Sequence, residues 1–155
     1  MRLVKYRQNP CIFFIYGHDN AMYDFFSTVV DQYTNASVIS LKKNSTLGLR
    51  SLRQRVSKFL RSSQFCVALA SADDRVKEEF RCRQNVILEL GSASQLLGQD
   101  RCVVILDPIV TLPSDLSDIT YIPYDSSNRK EALIQFLTQL KSWGIDYDPN
   151  VLNMV

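Results

Sequence analysis

The sequence predicts an α/β fold with about five parallel strands and helices on both faces of the sheet. Short apolar runs of strand length alternate with amphipathic segments of helical spacing, a pattern typical of this class. The chain has 155 residues, of which 46% are hydrophobic, so it can bury the core of one domain. We expect that domain at residues 11–146, with an N-terminal extension at 1–10 and a C-terminal tail at 147–155.

The first strand and the first helix are predicted at the start of the domain. The run Cys11–Tyr16 (CIFFIY) is apolar and is closed by Gly17, which predicts a fully buried strand. Residues 20–34 repeat apolar side chains at helical spacing, with Asp19 or Asn20 available as the N-cap.

The middle of the chain continues the alternation. Residues 37–41 predict a second short strand, and the polar residues 42–48 predict a loop before a helix that begins at Leu49. Residues 64–70 (QFCVALA) predict a third buried strand. The acidic stretch 71–80 that follows is expected to be a connector without strands.

The last elements follow the same rules. A helix ends near Gly98, a fourth strand occupies 101–106, and a short fifth strand lies at 120–122. The final amphipathic helix, at 133–143, is closed by Gly144. Alternating strands and helices imply right-handed crossovers and a parallel sheet.

Charge is distributed unevenly, although the formal net charge is only +2. The segment 42–61 carries seven basic residues and no acid, whereas the rest of the chain carries 11 basic and 16 acidic residues. Such a cationic segment suits phosphates, nucleic acid or an acidic surface of another protomer, and it is also typical of a solvated helix face. Nucleic acid is the weakest of these readings because Phe59 is the only aromatic residue in the segment.

Several functional classes lack their motifs. There is no G-x-G-x-x-G and no P-loop, so hydride transfer and ATP hydrolysis are poor hypotheses. The single histidine, His18, has no nucleophile elbow near it, and no ligand set for a metal is present. The N-terminus has no signal peptide, so we expect a soluble cytoplasmic protein. The four cysteines lack zinc-site spacing and are expected to be reduced and structural: Cys11, Cys66, Cys82 and Cys102.

Glu89 is the best sequence clue to chemistry. It lies in the run 81–91 (RCRQNVILELG), about 70° from the centre of an apolar helix face. A carboxylate at the edge of a buried face is partly desolvated, which raises its pKa. Two explanations of this position are open. Either Glu89 has a structural role and is hydrogen-bonded to Arg83 or to a neighbouring amide, or it has a functional role. The apolar face is formed by Val86, Leu90, Ala93 and Leu97.

Other polar residues are predicted to converge where the strands end. In parallel sheets ligands bind beyond the carboxyl ends of the strands, where the strand order reverses. Asn85 precedes Glu89 by four residues and therefore lies beside it on the helix. Each candidate also has a structural reading: Gly17 as a turn residue, Asp19 as a cap, and Asn85 as a partner of the backbone. The candidates at these positions are Tyr16, Gly17, His18, Asp19, Ser71, Asp73, Asp74, Arg83, Gln84 and Asn85.

Four sequence blocks resemble the prokaryotic TIR-like domain family, whose members are predicted nucleotide-binding effectors of antiphage signalling systems. The resemblance covers about residues 11–146 and implies a flavodoxin-like fold. In many members the domain cleaves NAD⁺ between nicotinamide and ribose, and the family's catalytic glutamate corresponds to Glu89. The blocks are RCRQNVILELG at 81–91, IYGHD at 15–19, VALASADD at 67–74 and LPSDLSDITYIPYD at 112–125.

The resemblance also implies roles for the other candidates. Arg83 and Asn85 would hold Glu89 or the substrate, and NAD⁺ would be a substrate without a separate cofactor. Many relatives have an aromatic pair where this chain has Ser92-Ala93, and relatives often show G-R-T where this chain has Gly48-Leu49-Arg50. The residues that would bind substrate are Tyr16, Gly17, His18, Asp19, Asp73, Arg83 and Asn85.

The resemblance leaves several hypotheses open. A hydrolase would give linear ADP-ribose, and a cyclase would give an isomer of cyclic ADP-ribose. The alternative is a non-catalytic TIR module that binds a nucleotide or assembles with another TIR surface. Self-assembly through TIR–TIR contacts could use the basic segment 42–61, and a sensor domain or subunit is a further expected partner.

Overall fold

The main sheet contains five parallel strands. A computed structural model of the chain describes residues 9–41 and 49–155, except for the side chains of 49–53, so the predicted loop at 42–48 lies outside the described residues. The strands of the sheet run in the order β2-β1-β3-β6-β7. In chain order the strands are β1 (Cys11–Tyr16), β2 (Ser37–Ser40), β3 (Phe65–Ala70), β4 (Asp74–Val76), β5 (Glu79–Arg81), β6 (Cys102–Leu106) and β7 (Thr120–Pro123).

Helices cover both faces of this sheet. Side chains alternate along each strand, so Ile12 and Phe14 of β1 face one layer, and Phe13 and Ile15 face the other. The helices are α1 (Asn20–Tyr33), α2 (Leu49–Arg61), α3 (Gln84–Leu97) and α4 (Arg129–Ser142). Helices α1 and α4 pack on the first face of the sheet, and α2 and α3 pack on the second.

The predicted fold class is confirmed. The strand order is that of flavodoxin-like folds, in which the chain winds outward from β1 in both directions. The order reverses between β1 and β3, so ligands are expected beyond the carboxyl ends of these two strands. The candidate residues 16–19 and 71–74 follow these two strand ends.

The helix ends agree with the predicted caps. The side chain of Asp19 accepts a hydrogen bond from the backbone N–H of Met22 at 2.9 Å, so Asp19 rather than Asn20 caps α1. Gly98 and Gly144 have φ of 90° and 78°, a region that strongly favours glycine. No helix in the described part of the chain is long and apolar enough to cross a membrane.

The connector at 71–80 differs from its prediction, because it contains β4 and most of β5 in an antiparallel hairpin. The two strands are joined by Lys77 and Glu78, and Lys77 adopts a positive φ of 57°. Tight hairpin turns with positive φ usually contain glycine or asparagine, which makes them recognisable in a sequence. Because both turn residues are charged, the sequence gives no hairpin signal here.

The C-terminal segment 147–155, predicted as a tail, is packed on the domain. A 3₁₀-helix at Pro149–Met154 places Val151 in the core with no exposed surface. The backbone N–H of Asp148 donates to the carbonyl of Tyr33, at the end of α1, at 2.8 Å. Val151 and the backbone of Asp148 therefore attach this segment to the core and to the end of α1.

Candidate active site

Residues 16–19, at and after the end of β1, form a segment that we call the β1 exit. Aromatic and helix-capping contacts hold this segment in place. The ring of Tyr16 stacks on that of Tyr23 with 4.1 Å between centroids, and the Tyr23 hydroxyl is 2.9 Å from the Ser40 hydroxyl. Asp19 is occupied in capping α1. The side chain of His18, by contrast, is exposed. Of these residues, His18 is therefore the one whose side chain a ligand can reach most easily.

Asp73 turns its carboxylate toward the β1 exit. Its Oδ1 accepts hydrogen bonds from the backbone N–H of His18 at 3.2 Å and from the Ser71 hydroxyl at 2.8 Å. Its Oδ2 is buried and has no hydrogen-bond partner among the described residues. A Cβ atom on Gly17 would collide with this Oδ2, so any other residue at position 17 would force the Asp73 carboxylate to move.

Glu89 is a partly buried carboxylate on α3. Burial raises its pKa from 4.5 to about 7, and a hydrogen bond with the side chain of Asn85 opposes part of this rise. The predicted helix face is confirmed in its central residues, since Val86, Leu90 and Ala93 are all buried. Glu89 is therefore desolvated at the edge of that face, as its position in the sequence predicts.

The partner of Glu89 is the amide of Asn85, one of the two partners that the sequence left open. Arg83 lies at the N-cap position of α3 with an exposed side chain. The only ion pair within 4 Å among the described residues joins Arg81 to Glu79, at 2.9 Å. A neutral amide orients the carboxylate but leaves most of the cost of its desolvation uncompensated.

A groove of about 460 Å³ lies between the β4–β5 hairpin and the start of α3. Arg83 and Asn85, both predicted from the sequence, line it. Asp74 and Gln84, also candidates from the sequence, line it as well. The sequence analysis did not select two further lining residues, Arg81 and Cys82. They precede Glu89 in the run 81–91. They form one wall of the groove only because the β4–β5 hairpin packs there, and the sequence does not predict that hairpin.

Cys82 lies between two groups of candidate residues, those at the β1 exit and those along the groove. Its thiol is buried, and burial together with the nearby Asp73 carboxylate raises its pKa to about 11. Asp73 therefore lies close to the wall of the groove, while its own hydrogen bonds go to the β1 exit and Ser71. No hydrogen bond joins His18 or Asp73 to Glu89 in the part of the chain that the structure describes.

The charge of Glu89 also affects the pKa of a second titratable group. The buried thiol of Cys66 on β3 has a pKa raised well above its usual value by burial, by its hydrogen bond with Cys102, and by the charge of Glu89. The charge of Glu89 is the smallest of these causes, and it acts through the apolar interior of the domain. A carboxylate in such a place can stabilise a developing positive charge more strongly than one in water.

Comparisons with known proteins identify the family. A family model described as the TIR domain of CAP12/Pycsar effector proteins matches residues 11–126. The chain belongs to this family. It is therefore a TIR-like domain of the CAP12/Pycsar effector type, which confirms the family resemblance seen in the sequence.

Two curated relatives are similar to this TIR-like chain. CD-NTase-associated protein 12 of Niabella drilacis is 34% identical over 68 residues, which are 41% of this chain and 22% of that protein. The uncharacterised protein YuaY of Escherichia coli K12 is 24% identical over 143 residues, 88% of this chain and 46% of that protein. The chain thus spans less than half the length of the curated relatives it matches.

A solved structure supports the fold of the TIR-like chain. A 2-desoxiribosyltransferase from Leishmania mexicana superposes with a TM-score of 0.51 and 13% identity, over 82% of this chain and 96% of that one. At this identity the likeness concerns the α/β architecture alone.

The described part of the basic segment 42–61 lies on α2. Arg55, Lys58 and Arg61 are exposed there. A surface depression of about 580 Å³ is lined by Lys58 and Arg61 together with Gln54 and Ser57. This exposure fits both readings of the segment, a solvated helix face and a surface for an acidic partner.

Proposed function

We propose that the chain cleaves NAD⁺ at the bond between nicotinamide and ribose, with Glu89 as the catalytic carboxylate. The observation that carries the proposal is the desolvated Glu89, which is hydrogen-bonded to Asn85, a residue that lines the groove together with Arg83. A buried acid that lacks a cationic partner among the described residues costs stability, which is typical of functional sites. Bacterial cytoplasm is the compartment that we propose for this reaction.

The chemistry needs one carboxylate. As the C1′–N bond of NAD⁺ breaks, its electron pair moves onto the pyridinium nitrogen, so nicotinamide leaves as a neutral molecule and needs no general acid. The ribosyl group gains oxocarbenium character, which the Glu89 carboxylate would stabilise, with Asn85 fixing its orientation. In a hydrolase, water donates its electron pair to the ribosyl carbon and loses a proton. In a cyclase, a nitrogen of the adenine donates the electron pair instead, and the adenine loses a proton.

The substrate would lie along the groove at the start of α3. Arg83 carries a positive charge beside the groove and suits a diphosphate. His18 is exposed at the β1 exit and the Tyr16 ring is stacked on Tyr23, so these residues would bound the site rather than react. Gly17 and Asp19 would shape the same loop.

A direct assay tests the proposal. The purified chain at high protein concentration is incubated with NAD⁺, and nicotinamide and the ribosyl products are resolved by chromatography. We expect release by the parent chain and by a Glu131→Gln control on α4, and none by Glu89→Ala. If the parent releases no nicotinamide even when crowding drives it to assemble, NAD⁺ cleavage is wrong for this chain.

The second candidate function is a non-catalytic TIR module. It is favoured by the exposed cations of α2, Arg55, Lys58 and Arg61, which suit an acidic surface of another protomer. In that case the charge-reversing change Lys58→Glu would abolish assembly measured by light scattering, with Glu89→Ala having no effect on any property of the assembly.

The pH dependence of cleavage is a further expected result. Because the carboxylate is the active form and burial raises the pKa of Glu89 to about 7, kcat/KM should rise with pH through a midpoint near 7. The midpoint of kcat should be lower, since the bound pyridinium cation favours the charged carboxylate. Rates measured between pH 5 and 9 check this, and a flat profile would contradict the assignment.

A further inference from the structure

The carboxylate of Asp73 is directed into the protein. Oδ1 receives the His18 backbone N–H and the Ser71 hydroxyl, and Oδ2 is buried against Gly17. Ser71 is itself only 5% exposed. The carboxylate therefore joins the loop after β1 to the loop after β3, on either side of the point where the strand order reverses.

The arrangement is specific in shape as well as in hydrogen bonding. Any side chain at position 17 would place its Cβ onto Oδ2 of Asp73. The buried Oδ2 has no hydrogen-bond partner among the described residues, and a buried acceptor left without a partner destabilises the folded protein. A contact that costs stability at the edge of a candidate site calls for a functional reason.

We infer that Asp73 is a positioning residue, which holds the Gly17–Asp19 loop in the geometry that the NAD⁺ site needs and does not itself bind substrate. The inference rests on the proposed function. Oδ2 is buried against Gly17 and Oδ1 already accepts two hydrogen bonds, so the carboxylate is committed to contacts within the protein. The Asp73 carboxylate also acts electrostatically on Cys82, two residues before α3, so it lies between the loop and the wall of the groove.

Kinetics separate positioning from binding. In Asp73→Ala the loop loses its anchor, and we expect KM for NAD⁺ to rise about tenfold while kcat changes by less than about threefold. Asp73→Asn keeps an oxygen acceptor for the His18 N–H and should recover most of that loss. Asp118→Ala, which removes an exposed aspartate far from the site, serves as the control. If Asp73→Asn is as impaired as Asp73→Ala, the substrate uses the negative charge and the inference is wrong.

A double-mutant cycle gives a readout that does not depend on catalysis. Gly17→Ala alone should lower the thermal midpoint and shift the His18 amide resonance in ¹⁵N spectra. In the Asp73→Ala background the same change should have little further effect on either, because the colliding oxygen is gone. Equal damage by Gly17→Ala in both backgrounds would overturn the inference. A parent without NAD⁺ cleavage would remove the proposed function but leave this cycle interpretable.

Discussion

The Glu89→Gln variant is expected to lose nicotinamide release by at least about a thousandfold and, at pH 8, to unfold with a free energy higher by about 1–3 kcal/mol. Glutamine has nearly the same shape and can still bond to Asn85, but it carries no charge to desolvate. The loss of activity follows because a neutral amide cannot stabilise an oxocarbenium-like centre as a carboxylate does. The gain in stability is smaller than the full pKa shift would give, since Glu89 is partly exposed.

The pH dependence of that stability difference has a definite sign. The folded-state pKa of Glu89, about 7, lies above the ordinary value of 4.5, so the folded protein holds this proton more tightly than the unfolded chain. The stabilising effect of the proton is complete below pH 4.5 and is lost as pH rises through 7. Parent and Glu89→Gln should therefore unfold alike near pH 4 and diverge by pH 8.

Urea unfolding at pH 4 and pH 8 measures this difference. Glu78→Gln, on an exposed turn, is the matched control and should change the free energy of unfolding by less than about 0.5 kcal/mol at either pH. If Glu89→Gln were less stable than the parent at pH 8, the carboxylate would be paired with a cation in the folded protein. Desolvation would then not be the reason for its raised pKa.

The position of Glu89 could be predicted because helical periodicity reports which face of a helix is buried. The same spacing placed Asn85 beside Glu89, and the structure confirms that contact. Periodicity does not report rotamers or the paths of long side chains. It therefore left Arg83 and a neighbouring amide as equal partners of Glu89, and only the packed structure selects Asn85.

The parts of the site that could not be predicted depend on contacts between distant segments. Asp73 and Gly17 lie more than fifty positions apart, and nothing in either local sequence shows that the carboxylate turns inward onto the glycine. The β4–β5 hairpin escaped prediction because its turn uses Lys77 at positive φ, where glycine or asparagine is the usual signal. The wall that contains Arg81 and Cys82 was missed with it.

Truncation after Asp146 is expected to lower the free energy of unfolding by about 3–6 kcal/mol, a large share of the roughly 5–15 kcal/mol of an ordinary domain. The deleted residues include Val151, which has no exposed surface, and Tyr147 and Met154, which pack on the same core. The deletion also removes the hydrogen bond from the Asp148 N–H to the Tyr33 carbonyl.

Urea unfolding of three further variants locates the effect. Removing only Val155 and replacing the exposed Leu152 by alanine should each change stability by less than about 0.5 kcal/mol, whereas Val151→Ala should cost about 1–3 kcal/mol. An unchanged urea midpoint for the chain that ends at Asp146 would show that residues 147–155 are a dispensable tail.

The truncation should also weaken the candidate site, although the deleted segment lies at the other end of α1. The 3₁₀-helix packs on the end of α1 at Tyr33, and α1 begins at the Asp19 cap and carries Tyr23, the partner of Tyr16. A helix that is loosened at one end frays and loses packing along its buried face. Hydrogen exchange of the α1 amides should therefore accelerate in the truncated chain, together with a higher KM for NAD⁺.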